Sequence, residues 1–200
     1  EMDDPAAQSA QEELARLAAE TGILLVGPNC AGVASPNPNS LYSGMLYRYP
    51  GGGGMSVVSQ SGNVGMTTLT WAQLHQVGIA RFVSSGNEAA TRCEDYLRFF
   101  AHDAHTKAIL AYVEGTRDGR RFFEALRETA ACKPVVIVKG GRTDAGQRAA
   151  ASHTGSLASA VTLFESACRQ AGANVVDDIY QGMELASAFV HQPLPKGRRV

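Results

Sequence analysis

The sequence predicts a doubly wound α/β protein, in which helices cover both faces of a parallel sheet. Strand-like runs of valine and isoleucine alternate with helix-like segments along most of the 200 residues. Parallel strands that are buried on both faces have continuous apolar runs of this kind. Hydrophobic residues make up 44% of the chain and charged residues 18%, which is enough apolar material for a packed core.

The alternation is most regular after residue 54. Apolar runs predict strands at 56–58, 79–83, 108–113, 134–138 and 175–176. Segments of helical periodicity predict helices at 63–77, 93–101, 119–131, 156–171 and 179–190. Gly78 and Gly172 follow two of these helices as stop signals. About five strands, each followed by a helix, indicate a flavodoxin-like doubly wound sheet.

The first 54 residues have a different character. Asp4 and Pro5 predict the start of a helix that Gly22 ends, and the apolar run 23–26 predicts a buried strand. Three prolines and three tyrosines between 34 and 54, followed by four glycines, predict a linker. We therefore expect residues 1–45 to be the end of a preceding domain plus a linker, 46–192 to be the main domain, and 193–200 to begin a following unit.

Composition excludes several classes of function. A formal net charge of -1 gives no electrostatic argument for binding nucleic acid or an anionic membrane. No apolar run approaches the ~18 residues of a membrane-spanning helix. The four cysteines (Cys30, Cys93, Cys132 and Cys168) lie far apart and lack metal-ligand spacing. They predict small core residues in a reducing, cytoplasmic compartment rather than disulfides or a structural metal.

Polar residues follow several predicted strands, and the carboxyl ends of parallel strands meet at one edge of a sheet. Ser61, Gly62 and Asn63 follow the first strand of the main domain and begin a helix. Free backbone N–H groups and a positive dipole end make such a position an anion site, although an ordinary serine N-cap explains it equally well. Glu114 directly follows the third strand, where a carboxylate can orient a histidine ring.

His153 lies in a loop rich in glycine, alanine and arginine, between a predicted strand and a predicted helix. Alone, it is most simply a solvated loop histidine. Together with the anion site and Glu114, it predicts a phosphohistidine site with His153 as the nucleophile.

His102, Asp103 and His105 suggest a metal, but a solvated helix C-terminus explains them better, because histidine complements the helix dipole there. We therefore predict no metal site.

Six motifs occur in a specific order: GPNCAG at 27–32, SQSG at 59–62, SGN at 85–87, YVEG at 112–115, KPVV at 133–136 and SHTGS at 152–156. Over residues 20 to 190 the pattern resembles the NDP-forming acyl-CoA synthetases, relatives of the succinyl-CoA synthetase alpha subunit. The resemblance implies that acyl-CoA, phosphate and ADP interconvert with acid, CoA and ATP. An acyl phosphate and a phosphorylated histidine are the implied intermediates.

The resemblance also implies roles for individual residues. His153 is the phosphorylated residue and Glu114 its orienting partner, while Asn29 and Cys30 approach the thiol end of CoA. The implied phosphate-binding residues begin two helices: Ser61, Gly62, Asn63, Thr154 and Gly155.

Other implied parts lie on domains outside this chain. These are a Rossmann-like CoA-binding domain, of which residues 1–45 would be the end, and an ATP-grasp domain or subunit that binds ATP or ADP with Mg²⁺. The complete protein is then an oligomer.

A second hypothesis gives the same fold a non-catalytic role, as the acyl-CoA-sensing domain of a protein acetyltransferase. The presence of both His153 and Glu114 favours catalysis, because a purely regulatory domain has no chemical need for either. A third hypothesis, a flavin-binding module, is weaker because the glycine-rich edge offers little aromatic surface for a flavin ring.

Overall fold

The computed structural model describes residues 5–38, 40–141, 161–194 and 197. Its strands are β1 (Gly32–Ser35), β2 (Leu41–Gly44), β3 (Gly52–Ser59), β4 (Ile79–Ser84), β5 (Ala108–Val113), β6 (Val135–Lys139) and β7 (Asn174–Val176). Its helices are α1 (Pro5–Thr21), α2 (Gly62–Leu74), α3 (Cys93–His102), α4 (Gly119–Cys132), α5 (Val161–Gln170) and α6 (Ile179–His191). The strands form one sheet in the order β2-β1-β4-β3-β5-β6-β7.

Five strands of this sheet, β4-β3-β5-β6-β7, run parallel to one another. That order is the flavodoxin-like arrangement, in which the chain winds first to one side of the opening strand and then to the other. The predicted fold class is therefore confirmed. After residue 54 the described elements lie where the sequence predicts them, with ends that differ by a few residues. The predicted helix start at 156–160 lies outside the described residues.

Alternate strand residues face two separate cores. On one face, Ile109 and Ile137 pack with α3, α4 and α5. On the other, Leu110 and Val136 pack with α2 and α6. β5 and β6 are thus apolar on both faces, and helices cover both faces of the central sheet. In the part of the chain that is described, no helix is both long and apolar enough to cross a bilayer.

The predicted linker contains two strands. β1 and β2 form an antiparallel hairpin, and β1 also pairs antiparallel with β4 through Val33 and Ala34. These strands are four residues long, which is too short for their alternation to stand out in the sequence. The hairpin extends the sheet beyond the five predicted strands, while the boundaries of the predicted domains stay a prediction.

The predicted strand at 23–26 is wrong for this structure. The segment pairs with no strand among the described residues, and Ile23 and Leu24 are 65% and 85% exposed. These residues run as irregular chain, with Val26 packed against the core.

Candidate functional site

The carboxyl ends of the parallel strands form the edge that carries the candidate site. Ser59, at the end of β3, pairs in register with Ser84 of β4 on one side and with Tyr112 of β5 on the other. The three loops that leave these strands therefore begin at the same level. In doubly wound sheets, ligands bind at this edge, in the crevice between two neighbouring strands where the order of the strands reverses.

The first of these loops leads into α2. Ser61 is the N-cap, and its Oγ accepts a hydrogen bond from the backbone N–H of Val64 at 3.4 Å. Ser59 Oγ donates to the Ser61 carbonyl at 2.7 Å and so holds the cap against the strand end. A Cβ on Gly62 would meet Ala31 Cβ at an ordinary 3.6 Å, so packing alone does not require glycine here.

Gln60 connects the first loop to the end of β5. Its Oε1 accepts hydrogen bonds from the backbone N–H groups of Glu114 and Gly115 at 2.6 and 3.1 Å, and its Nε2 donates to the Gly115 carbonyl at 2.9 Å. The side chain is 9% exposed. Sequence reasoning missed this residue, although a polar residue directly after a buried strand was a signal that could have found it.

Glu114 is half-buried at the end of β5. Its backbone is held from the other side by Lys139, whose Nζ donates to the Glu114 carbonyl at 2.6 Å and to the Gly140 carbonyl at 2.5 Å. Burial lowers the pKa of Lys139, and the nearby Glu114 carboxylate opposes that effect. The Lys139 amine therefore supports the backbone of the site from within the protein, rather than serving as a surface phosphate ligand.

The loop of residues 27–31 packs over the same edge. Asn29 Nδ2 donates to Asn87 Oδ1 at 3.2 Å, and the backbone N–H of Ala31 donates to Ser84 Oγ at 2.9 Å. Gly86 has a positive φ of 59°, and a Cβ there would lie 2.3 Å from the Pro28 carbonyl oxygen. Glycine at 86 therefore allows the two loops to approach each other.

These loops form the walls of a cleft of about 490 Å³ that is open to solvent. Six predicted site residues line it: Asn29, Cys30, Ser61, Gly62, Asn63 and Glu114. Met45, Tyr47 and Met66 form an apolar part of its wall; the first two follow the hairpin and had no signal in the sequence. The structure thus brings together residues from three distant segments, and their individual roles stay predictions.

Three predicted site residues, His153, Thr154 and Gly155, lie outside the described residues. The distance between His153 and Glu114 therefore stays a prediction.

Of the three residues that suggested a metal, Asp103 has a structural role. Asp103 Oδ1 accepts a hydrogen bond from Arg81 at 2.9 Å, and its Oδ2 accepts one from Thr106 Oγ1 at 2.7 Å. His102 lies in the last turn of α3. Within the described ranges, no three His, Cys, Asp or Glu residues are grouped so that they could hold a metal ion.

The N-terminus of α2 differs electrostatically from those of three other helices. α4 and α6 are capped by Asp118 and Asp178, and α3 carries acids in its first turn, whereas α2 has a neutral serine cap and no acid there. A helix whose N-terminus already holds a carboxylate repels a second anion. Among these four helices, we therefore expect an external anion to prefer the N-terminus of α2.

We expect a crystal of this chain soaked in phosphate or sulfate to show the anion against the backbone N–H groups near Ser61, Gly62 and Asn63, or at the predicted helix start near Ser156. The N-termini of α4 and α6 serve as internal controls and should stay empty. Anion density at those two helices and none at Ser61–Asn63 or near Ser156 would contradict the assignment.

Comparisons with known proteins agree with this fold. The succinyl-CoA ligase like flavodoxin domain family matches residues 52–189. The chain is 37% identical over 190 residues to the alpha subunit of the ADP-forming acetate–CoA ligase II of Pyrococcus furiosus, covering 95% of this chain and 41% of the relative. It is 31% identical to the ADP-forming 4-hydroxybutyrate–CoA ligase of Nitrosopumilus maritimus, covering 98% of this chain and 28% of the relative.

A solved structure supports the same relationship. Acetyl-coenzyme A synthetase 1 of Ca. Korarchaeum cryptofilum, in complex with phosphate and ADP, superposes with a TM-score of 0.86 at 34% identity, covering 94% of this chain and 40% of that one. The chain thus spans about two fifths of the length of this structure and of the Pyrococcus furiosus relative.

Proposed function

The chain belongs to the NDP-forming acyl-CoA synthetase family through its succinyl-CoA ligase-like flavodoxin domain, and we propose that it carries the phosphohistidine of such an enzyme. The complete enzyme would interconvert acyl-CoA, phosphate and ADP with acid, CoA and ATP. The observation that carries the proposal is the cleft at the edge of the sheet, which is lined by both Glu114 and the N-terminus of α2. The comparisons favour this function over an acyl-CoA sensor, because the relatives are acid–CoA ligases.

The reaction has three steps. An oxygen of phosphate attacks the thioester carbonyl carbon, the C–S bond breaks, and CoA leaves as a thiolate that takes up a proton. A ring nitrogen of His153 then attacks the phosphorus of the acyl phosphate, so that a P–N bond forms and the acid leaves as a carboxylate. Finally, an oxygen of the ADP β-phosphate takes the phosphoryl group, and the P–N bond breaks.

This chain supplies the environment for these steps. The first N–H groups of α2, at Ser61, Gly62 and Asn63, bind the phosphate together with Thr154 and Gly155. The Glu114 carboxylate accepts a hydrogen bond from the second ring nitrogen of His153 and stabilises the positive charge of the ring during transfer. Asn29 and Cys30 border the thiol end of CoA, with Cys30 as a half-buried wall residue rather than a nucleophile.

Other parts of the enzyme complete the reaction. We assign CoA to a Rossmann-like domain, and ATP or ADP with Mg²⁺ to an ATP-grasp domain or subunit of an oligomer. The alpha-subunit relatives support a separate partner. The Mg²⁺ ion neutralises charge on the nucleotide phosphates. All four cysteines are free thiols, as is usual in the cytoplasm.

Radiolabelling the complete enzyme tests this proposal. With Mg²⁺ and ATP labelled in its γ-phosphoryl group, and separately with acyl-CoA and labelled phosphate, we expect one phosphoryl group on this chain. The label should be lost in acid and stable in base, since a P–N bond has that stability and a phosphoserine does not. Mass spectrometry should locate it at His153. Binding of acyl-CoA without any label would contradict the proposal and favour the sensor.

A further inference from the structure

One wall of the cleft is apolar, and neither a phosphate group nor the thiol end of CoA accounts for it. Met45, Tyr47 and Met66 form this wall. Met66 lies on α2 one turn after Gly62 and on the same side of the helix, so the wall begins beside the predicted phosphate site. Met66 is 4% exposed and belongs to the core, whereas Met45 and Tyr47 are 78% and 58% exposed. Ligand sites are commonly lined by apolar side chains next to a few polar groups.

The hairpin of β1 and β2 places Met45 beside the cleft. Gly32 and Gly44 pair in register at the end of the two strands. A Cβ on Gly44, which has a positive φ of 113°, would lie 2.5 Å from the Ala31 carbonyl oxygen, so this approach requires glycine. The same Ala31 carbonyl accepts a hydrogen bond from the backbone N–H of Met45 at 2.8 Å. The chain that leaves β2 is therefore bound to the loop of residues 27–31.

The backbone on both sides of Tyr47 is also held in place. Leu46 is buried in the core. Tyr49 Oη donates to the Leu46 carbonyl at 2.8 Å, and the backbone N–H of Tyr49 donates to Gln73 Oε1 of α2 at 3.2 Å. The apolar wall is thus formed before a ligand arrives, which lowers the entropic cost of binding.

The charges around the cleft favour a hydrocarbon chain over a carboxylate at this wall. The described residues that line the cleft include one carboxylate, Glu114, and no lysine, arginine or histidine. Arg48 stacks on the Tyr47 ring at 5.3 Å and donates to the Tyr47 carbonyl at 2.9 Å, while Arg117 donates to the Asn87 carbonyl at 3.3 Å. Placing a carboxylate against an apolar wall without a cationic partner is costly, and Glu114 would repel it.

We propose that Met45, Tyr47 and Met66 form the acyl subsite, which takes the hydrocarbon chain of a monocarboxylic acid. The inference rests on the proposed function, in which phosphate lies at the N-terminus of α2 and the CoA thiol lies near Asn29 and Cys30. When phosphate attacks the thioester, the carbonyl carbon bonds to the phosphate oxygen, the sulfur and the acyl chain in different directions. The apolar wall is the surface that matches the direction of the acyl chain.

Synthesis of acyl-CoA by the complete enzyme tests the inference, with acids compared by their kcat/KM. We expect kcat/KM to rise about fourfold per methylene from acetate through propionate to butyrate, as it does when methylenes are buried against an apolar surface. Butyrate and succinate differ in a terminal methyl group against a carboxylate. Butyrate should therefore be preferred at least ~tenfold.

Substitutions at the two exposed residues of the wall separate a specificity role from a structural one. Met45→Ala combined with Tyr47→Ala removes contacts with the acyl chain, so kcat/KM should fall about tenfold for butyrate and about twofold for acetate. Met45→Arg should raise kcat/KM for succinate relative to butyrate at least ~tenfold, because a guanidinium group pairs with the second carboxylate. Met66 stays unchanged, since it is also a core residue.

Leu41→Ala is the matched control. Leu41 is a 53% exposed apolar residue of β2 that does not line the cleft. This variant should keep the wild-type ratios of kcat/KM between the three monocarboxylic acids and between butyrate and succinate.

Three outcomes in an active, labelled enzyme would overturn the inference alone. One is a wild type with kcat/KM for succinate equal to or above that for butyrate. Another is a double variant whose ratio of butyrate to acetate equals that of the wild type. The third is a double variant with a raised KM for CoA and an unchanged acid ratio, which would assign the wall to the pantetheine arm of CoA. Absence of both label and turnover with every acid would instead overturn the proposed function, and the inference with it.

Discussion

His153→Asn in the complete enzyme is expected to abolish ATP synthesis from acyl-CoA, phosphate and ADP, and to abolish the reverse reaction as well. Asparagine keeps a polar side chain, but its amide nitrogen is not a nucleophile. The covalent route is therefore lost rather than slowed, and removing a nucleophile of this kind costs at least ~10⁴-fold. The measurements are net turnover in both directions and incorporation of labelled phosphoryl groups.

One partial reaction should survive in this variant. The attack of phosphate on the thioester does not use the histidine, so single-turnover release of CoA from acyl-CoA and phosphate should continue. His102→Asn, at the exposed end of α3, is the matched control and should label and turn over like the wild type. Full turnover by His153→Asn would remove the histidine from the mechanism.

Glu114→Gln is expected to slow phosphoryl transfer by roughly a hundredfold or more, by analogy with other carboxylates that orient a histidine. Gln60 and Lys139 hold residue 114 by its backbone N–H and carbonyl, so both hydrogen bonds remain available after the substitution. What is lost is the negative charge that stabilises the histidine ring cation. Rapid-quench labelling should show a slower transfer step, with little change in KM for phosphate.

The result must be separated from an indirect effect on Lys139. The Glu114 carboxylate opposes the fall in the pKa of the buried Lys139 amine, so Glu114→Gln should lower that pKa further. A rate that recovers at lower pH, where Lys139 is protonated again, would assign the loss to Lys139. Glu128→Gln is the control and should have the wild-type rate, because Glu128 of α4 lies in an exposed ion pair with Arg98 of α3. A wild-type rate in Glu114→Gln would exclude the assigned role.

Both substitutions, His153→Asn and Glu114→Gln, change residues that the sequence alone identified as candidates. Ser61 and Glu114 could be predicted at the functional edge because each directly follows a buried strand, and parallel strands end together. The order of motifs predicted the family, which the comparisons confirm. The predicted role of His153 rests on the sequence and the resemblance together, and those of Thr154 and Gly155 on the resemblance; all three residues lie outside the described part of the chain.

The sequence alone determined the order of strands and helices, because the apolar runs and helix caps that specify them are signals only a few residues long. Only the tertiary structure decided which segments meet. β1 of the hairpin pairs with the edge of β4, whereas the run 23–26 pairs with no strand among the described residues. The hydrogen bonds between Gln60 and Glu114 and between Ser85 and Ser59 join three loops that are distant in the chain. Such contacts depend on strand order and register, which no local pattern carries.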